Sequence, residues 1–138
     1  MPSVDYSVAR GYQRFAGDPV ARPMLIVRLH HPPDPPFQTL AIVDSGADTS
    51  VFHVSIAAQL GIDLATARRG TATGVGGTAM AFRSGVELEI EGMRFPAEIR
   101  FTSGIRPPIA LLGRHDVFRR FQFGFDEQAQ LLLVKPYP

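Results

Sequence analysis

Apolar and polar positions alternate most cleanly in "GVELEIEG" (residues 85–92), which sets Val86, Leu88 and Ile90 on one face and three glutamates on the other. A period of two predicts a strand with one buried face. Gly92 turns this strand into "MRFPAEIRF" (93–101), giving a hairpin. "MLIVRLH" (24–30), rich in β-branched and aliphatic residues, predicts another strand. "QTLAIVD" (38–44) is apolar toward its end and reads as a strand buried on both faces, and "IALLG" (109–113) reads as another buried apolar strand. "FQFGFD" and "QLLLVKP" close the chain as two strands around a turn near Asp126–Ala129.

Between these runs lie segments that break the pattern. "HPPDPPF" (31–37) carries four prolines, whose fixed φ and missing N–H force an extended loop. "GTATGVGGTAMAF" (70–82) is small, glycine-centred and flanked by alternating residues, the signature of a β-hairpin. A helical period appears only briefly. "VSIAAQLGI" (54–62) places Ile56, Ala57 and Leu60 together, with Ser55 as the expected cap and Gly61 as the stop. "RHDVFRRF" (114–121) reads as a second short helix with Val117, Phe118 and Phe121 on its apolar side. Residues 1–22 show no clear period and read as an arm or an irregular first element, open to a role in dimer contact. The expected fold class is all-β with one or two short helices, arranged as a sandwich or barrel over 23–138.

Composition narrows the function classes. At 138 residues the chain is long enough to bury one core and too short for two ordinary domains. Its formal charge is +1, and the thirteen arginines among fourteen basic residues are scattered. No basic stripe interleaved with aromatics points to nucleic acid. The absence of cysteine excludes disulfides, thiolate metal sites and cysteine nucleophiles. The N-terminal segment has no continuous apolar stretch of the signal-peptide kind, and no apolar run is long enough to span a bilayer. A cytoplasmic location and no membrane partner are the expectations, unless the chain is an excised domain.

The candidate chemistry lies in "AIVDSGADTSVF" (41–52), where an apolar strand delivers Asp44 into a tight turn of small residues. Asp-Ser-Gly by itself is a common turn, because Asp and Ser side chains cap bends and Gly admits φ > 0. A turn acid seldom ends a buried strand, however, and Gly46 and Ala47 leave room for a second backbone to approach.

"DSGADTS" (44–50) resembles the D-[ST]-G-A-[DS]-x-[ST] signature of retroviral-type, retropepsin-like aspartic proteases. Two further segments carry the resemblance: "GVGG" (74–77) is similar to the glycine-rich tip of that family's flap. "PIALLGR" (108–114) is similar to its second apolar strand, which ends in Gly-Arg before a short helix. The resemblance covers about residues 24–134 and implies the acid-protease barrel with a glycine-rich β-hairpin flap. It gives Asp44 the catalytic role and assigns Ser45, Gly46, Thr49, Gly113 and Arg114 to support of the active loop. Arg114 is the arginine implied to pair with Asp48. Gly46, Ala47, Asp48, Val75, Gly76, Gly77, Ile109 and Leu111 are the residues implied to contact substrate. The turn hydroxyl is Ser45 where Thr is commoner in the family, and His115-Asp116 receives no role.

Aspartic-protease chemistry needs two carboxylates about 3 Å apart that share one proton. The motif occurs once, so a monomer holds half a site, and a twofold axis is needed to bring a second Asp44. The expectation is therefore a homodimeric aspartic endopeptidase that hydrolyses an extended peptide or protein substrate without metal or other cofactor. The C-terminal "QLLLVKPYP" is a candidate dimer-sheet strand, with an ordinary core strand as the alternative. The competing function is a non-catalytic peptide-binding or dimerisation module of the same fold. "GVGGTA" (74–79) formally fits a dinucleotide fingerprint, but a strand rather than a helix follows it. Asp44, Asp48 and His53 on one turn and its exit point apart and make a poor metal set. Arg68-Arg69 and Arg119-Arg120 read as solvated faces.

Overall fold

The structure, a computed structural model, describes residues 2–74 and 77–138. Ten strands and two short helices follow the order β1 (Val8–Gly11), β2 (Met24–His30), β3 (Phe37–Val43), β4 (Val51–His53), α1 (Val54–Gln59), β5 (Arg68–Gly74) and β6 (Gly77–Ile90), then β7 (Met93–Thr102), β8 (Leu111–Leu112), α2 (Arg114–Phe118), β9 (Phe121–Asp126) and β10 (Leu131–Pro136). Seven strands form one sheet in the order β2-β3-β8-β4-β7-β6-β5. An additional β2–β6 pairing, Arg28 opposite Glu89 to His30 opposite Glu87, closes this sheet on itself and leaves β5 outside the closure. The remaining strands make a three-stranded sheet, β1-β10-β9.

The alternation in 85–92 is realised as expected: Val86, Leu88 and Ile90 are buried, and Glu91-Gly92 turn the chain with φ of 49° and 79°. Positive φ at both central residues is the geometry that matches the twist of a two-residue hairpin. The strand extends beyond its sequence signal, however. β6 runs unbroken through Gly85 back to Gly77, pairing with β5 along its first half and with β7 from Ala81 onward. Both expected hairpins are therefore two arms of one long strand.

Three expectations need correction. β3 is not buried on both faces: Ala41 and Val43 point into the core, while Leu40 and Ile42 are only partly covered. The run 109–113 contributes just Leu111–Leu112 to the sheet. α1 is capped by His53, whose Nδ1 accepts from Ser55 N–H at 3.1 Å, so Ser55 is inside the helix it was expected to cap.

Within the first 22 residues, Val8–Gly11 is a strand paired antiparallel with Leu131–Val134. Arg10 clasps Glu91 in the β6–β7 turn through two contacts, Nε to Oε2 at 3.1 Å and Nη2 to Oε1 at 2.6 Å. On β10, Leu132 and Val134 are fully buried in the core, together with Phe52, Phe101, Phe121 and Leu112.

Candidate active site

β3 and β8 run parallel, with Val43 beside Leu112, so the chain leaves both strands at the same end of the sheet. There the Asp44 N–H donates to Leu112 O at 3.0 Å, which fixes the backbone of the acid before the turn begins. Ala47 N–H closes the turn onto Asp44 O at 3.1 Å, and Gly46 N–H donates to Asp44 Oδ1 at 2.8 Å. An Asx-type bond of this kind holds the carboxylate in one rotamer. Among the described residues no protein group donates to Oδ2. Gly46 has little room to grow, since a Cβ there would sit 3.2 Å from Asp44 Oδ1. Asp44 is half-buried, and Ser45 beside it is exposed.

The loop after Asp44 is fastened to α2 by the free amides at that helix's start. Arg114 N–H donates to Ala47 O and His115 N–H to Asp48 O, each at 2.8 Å. These are donors that a helix leaves without internal partners, and the loop supplies the acceptors. α2 is wound loosely: Gly113 O accepts from both Val117 N–H at 3.0 Å and Phe118 N–H at 3.3 Å, the second a five-residue π-type spacing. The expected helix thus ends at Phe118, and Phe121 belongs to β9.

Ser50, the last residue of the 44–50 motif, joins the two segments. Its hydroxyl accepts from Gly113 N–H at 3.0 Å, and its own N–H donates to Asp116 Oδ2 at 2.7 Å. Ser50 and Asp116 are both buried. Burial pushes the Asp116 carboxyl above the usual carboxylate range, and hydrogen bonds from the Ser50 amide and hydroxyl oppose the shift. Gly113 is pressed against the Thr49 backbone so closely that a Cβ would lie 2.7 Å from Thr49 Cα. Only glycine fits there.

Arg114 does approach Asp48, but at 3.9 Å through Nη1 and with both side chains largely exposed, so the contact is neither tight nor bidentate. Thr49 is held differently: its hydroxyl accepts from Arg100 Nε at 3.1 Å. Two cavities flank the loop. One, of about 400 Å³, lies under the β5–β6 hairpin and is lined by Val51, Thr78, Ala79, Ile105 and the expected substrate contacts Gly77 and Leu111. Ile109 is half-buried and lies outside that lining. The other, of about 710 Å³, is lined on the loop side by Asp48 and Thr49. Val75 and Gly76 lie outside the described residues.

Ser50, Val51 and Arg100 were not singled out from the sequence, and Asp116 was noted there without a role. For Ser50 a signal existed, its place at the end of the motif; for the others the partners are distant in the chain. His53 turns toward α1, and among the described residues no group of three or more acids and histidines could hold a metal ion.

The model of the aspartyl protease family matches residues 37–114, from the start of β3 to the first residue of α2. This chain belongs to that family, and its fold is retropepsin-like. A retropepsin-like aspartic protease from Rickettsia conorii superposes with a TM-score of 0.64 at 21% identity, covering 95% of this chain and 99% of that one. The EIAV protease, solved in complex with the inhibitor HBY-793, superposes with a TM-score of 0.50 at 28% identity over 67% of this chain and 82% of that one. No curated protein matches the chain in sequence.

Proposed function

We propose that the chain is one half of a homodimeric aspartic endopeptidase, with the two Asp44 carboxylates facing each other across a twofold axis. The observation that carries this reading is the setting of Asp44. It leaves a pair of parallel strands, Gly46 N–H holds its Oδ1, and its Oδ2 takes no donor from the described residues. Membership of the aspartyl protease family supports it.

In the assembled site two carboxylates share one proton, because like charges so close do not both ionise; aspartic proteases are the best-known case. The ionised carboxylate takes a proton from water as the water oxygen attacks the scissile carbonyl carbon. The protonated one hydrogen-bonds the carbonyl oxygen, and a tetrahedral diol forms. Collapse of the diol breaks the C–N bond while a proton passes to the leaving nitrogen, yielding a carboxylic acid and an amine. Ser45 braces one active loop against its twin, and Gly46 offers backbone to the substrate. Thr49, Gly113 and Arg114 keep the loop seated on α2. The β5–β6 hairpin is the flap, to which Val75, Gly76 and Gly77 belong in the sequence, and the substrate lies beneath it as an added strand. Ala47, Asp48, Ile109 and Leu111 border its side chains.

The test is cleavage of casein at acidic pH by the purified chain, its inhibition by a statine-type mimic of the diol, and its loss in Asp44→Asn. Cleavage that survives Asp44→Asn overturns the assignment. Peptide binding without turnover in the native chain supports the non-catalytic module.

A further inference from the structure

The larger cavity, about 710 Å³, has a wall of unusual charge. Four arginines line it: Arg83 from β6, Arg100 from β7, Arg114 from α2 and Arg119 just after it. Among the described residues only two carboxylates line it with them, Asp48 and Glu98, and their side chains are 92% and 50% exposed. The chain as a whole carries just +1, so this concentration is local.

None of the four cations is closely neutralised. Arg114 stands 3.9 Å from Asp48, and Arg83 Nη1 stands 3.5 Å from Glu98. Arg100 donates to two neutral acceptors, Thr49 Oγ1 at 3.1 Å and Thr71 O at 3.0 Å. Arg119 makes no ion pair with the described residues. Arg83 Nε is buried and has no hydrogen-bond partner among them. A buried donor without an acceptor is costly unless something else satisfies it. Gly70 on β5 leaves the space in which Arg100 and Arg83 lie: a Cβ there would fall 2.6 Å from Arg100 Nη1.

We propose that this cavity is a specificity subsite that receives an acidic side chain of the peptide substrate. It rests on the peptidase reading above, since the cavity's loop-side wall, Asp48 and Thr49, is four and five residues beyond Asp44. A peptide bound at Asp44 presents side chains to this wall a few residues from the scissile bond. There an anionic head meets a concave cationic surface, which focuses the field, while Phe118 in the lining supports its methylene stem. A twofold assembly carries one such cavity on each side of the cleft.

The test uses fluorescein-labelled decapeptide pools, each with Glu, Gln or Lys fixed at one position and an equimolar mixture elsewhere. Cleavage is measured with the native chain and binding with Asp44→Asn. At one position the Glu pool is cleaved about fivefold faster than the Gln pool, or more, and binds tighter; the size follows from partly exposed ion pairs. The Glu:Gln ratio falls toward one in Arg83→Gln and in high salt, and rises in Glu98→Gln. Circular dichroism and the melting temperature establish that each variant is folded. Equal cleavage and binding of Glu and Gln pools at every position overturns the subsite, as does a ratio unmoved in the folded Arg83→Gln/Arg119→Gln double variant. If no pool is cut but the Glu pools still bind with an Arg83-dependent ratio, the peptidase reading fails and acid recognition stands.

Discussion

The Asp116 carboxylate accepts the Ser50 amide at 2.7 Å, while the Ser50 hydroxyl accepts the Gly113 amide at 3.0 Å. A buried three-residue relay thus ties the exit of the Asp44 loop to α2. Removing the acceptor in Asp116→Ala leaves the Ser50 N–H buried and unpaired, at a cost of about 1–3 kcal/mol. Urea unfolding of the two proteins measures it; an unchanged midpoint refutes the relay.

Replacing Asp116 with Asn separates charge from hydrogen bonding, because an amide oxygen still accepts from Ser50. The native Asp116 carboxyl is raised by burial. The folded chain therefore holds that proton more tightly than the unfolded chain does. The resulting contribution is complete below the unfolded carboxylate pKa of about 3.9 and is lost as pH rises through the higher folded value. Asp116→Asn lacks this decline, so its stability relative to the native chain improves from pH 3 to pH 7. The same difference at both ends contradicts the assigned shift.

These contacts also show where the sequence was informative. The alternation of Val86, Leu88 and Ile90 was legible because a one-sided strand writes its burial as a period of two. Asp44 was legible through a compact motif. Asp116 carried no local signal: its meaning comes from Ser50, 66 residues away. β1 was hidden for a related reason. Its residues are mostly exposed, so no buried face marks it, and only pairing with β10 makes it a strand. β6 appeared broken because Gly85 supplies no side chain to the pattern, although its backbone pairs with Glu98 without interruption.

Gly113→Ala puts a methyl group into the Thr49 backbone. Overpacking of this kind costs about 1–3 kcal/mol, and here the displaced atoms belong to the Asp44 loop. The expected outcome is a lower melting temperature together with casein cleavage reduced at least tenfold. Full activity in Gly113→Ala excludes the close packing.

A site made from two chains can be poisoned by one. If the proposed homodimer forms, mixing native chain with an excess of Asp44→Asn under conditions of subunit exchange places most native chains in hybrids that carry a single Asp44 carboxylate. Activity per native chain falls toward zero as the excess grows. Activity that stays proportional to native chain alone means that each chain works by itself.

The Arg10–Glu91 clasp joins β1 to the β6–β7 turn at the molecular surface. A double-mutant cycle with Arg10→Ala and Glu91→Gln yields a coupling of about 0.5–1 kcal/mol that shrinks in high salt. Zero coupling at low salt removes the clasp from the account of how the N-terminal segment is docked.

The pairing of β6 sets a mechanical limit on its hairpin. Among the described residues, Gly77, Thr78 and Ala79 pair only with β5, Met80 O accepts from the Thr102 hydroxyl of β7 at 2.8 Å, and from Ala81 onward β7 grips the other edge of the strand. The stretch of β6 that β7 leaves ungripped is thus three residues long, about 10 Å at 3.3 Å per residue, and it ends where Met80 and Ala81 meet Thr102. If the hairpin is the proposed flap, so short an arm needs a large rotation at its base to move its end far. Its travel is then set by the hold of Thr102 on Met80 and Ala81.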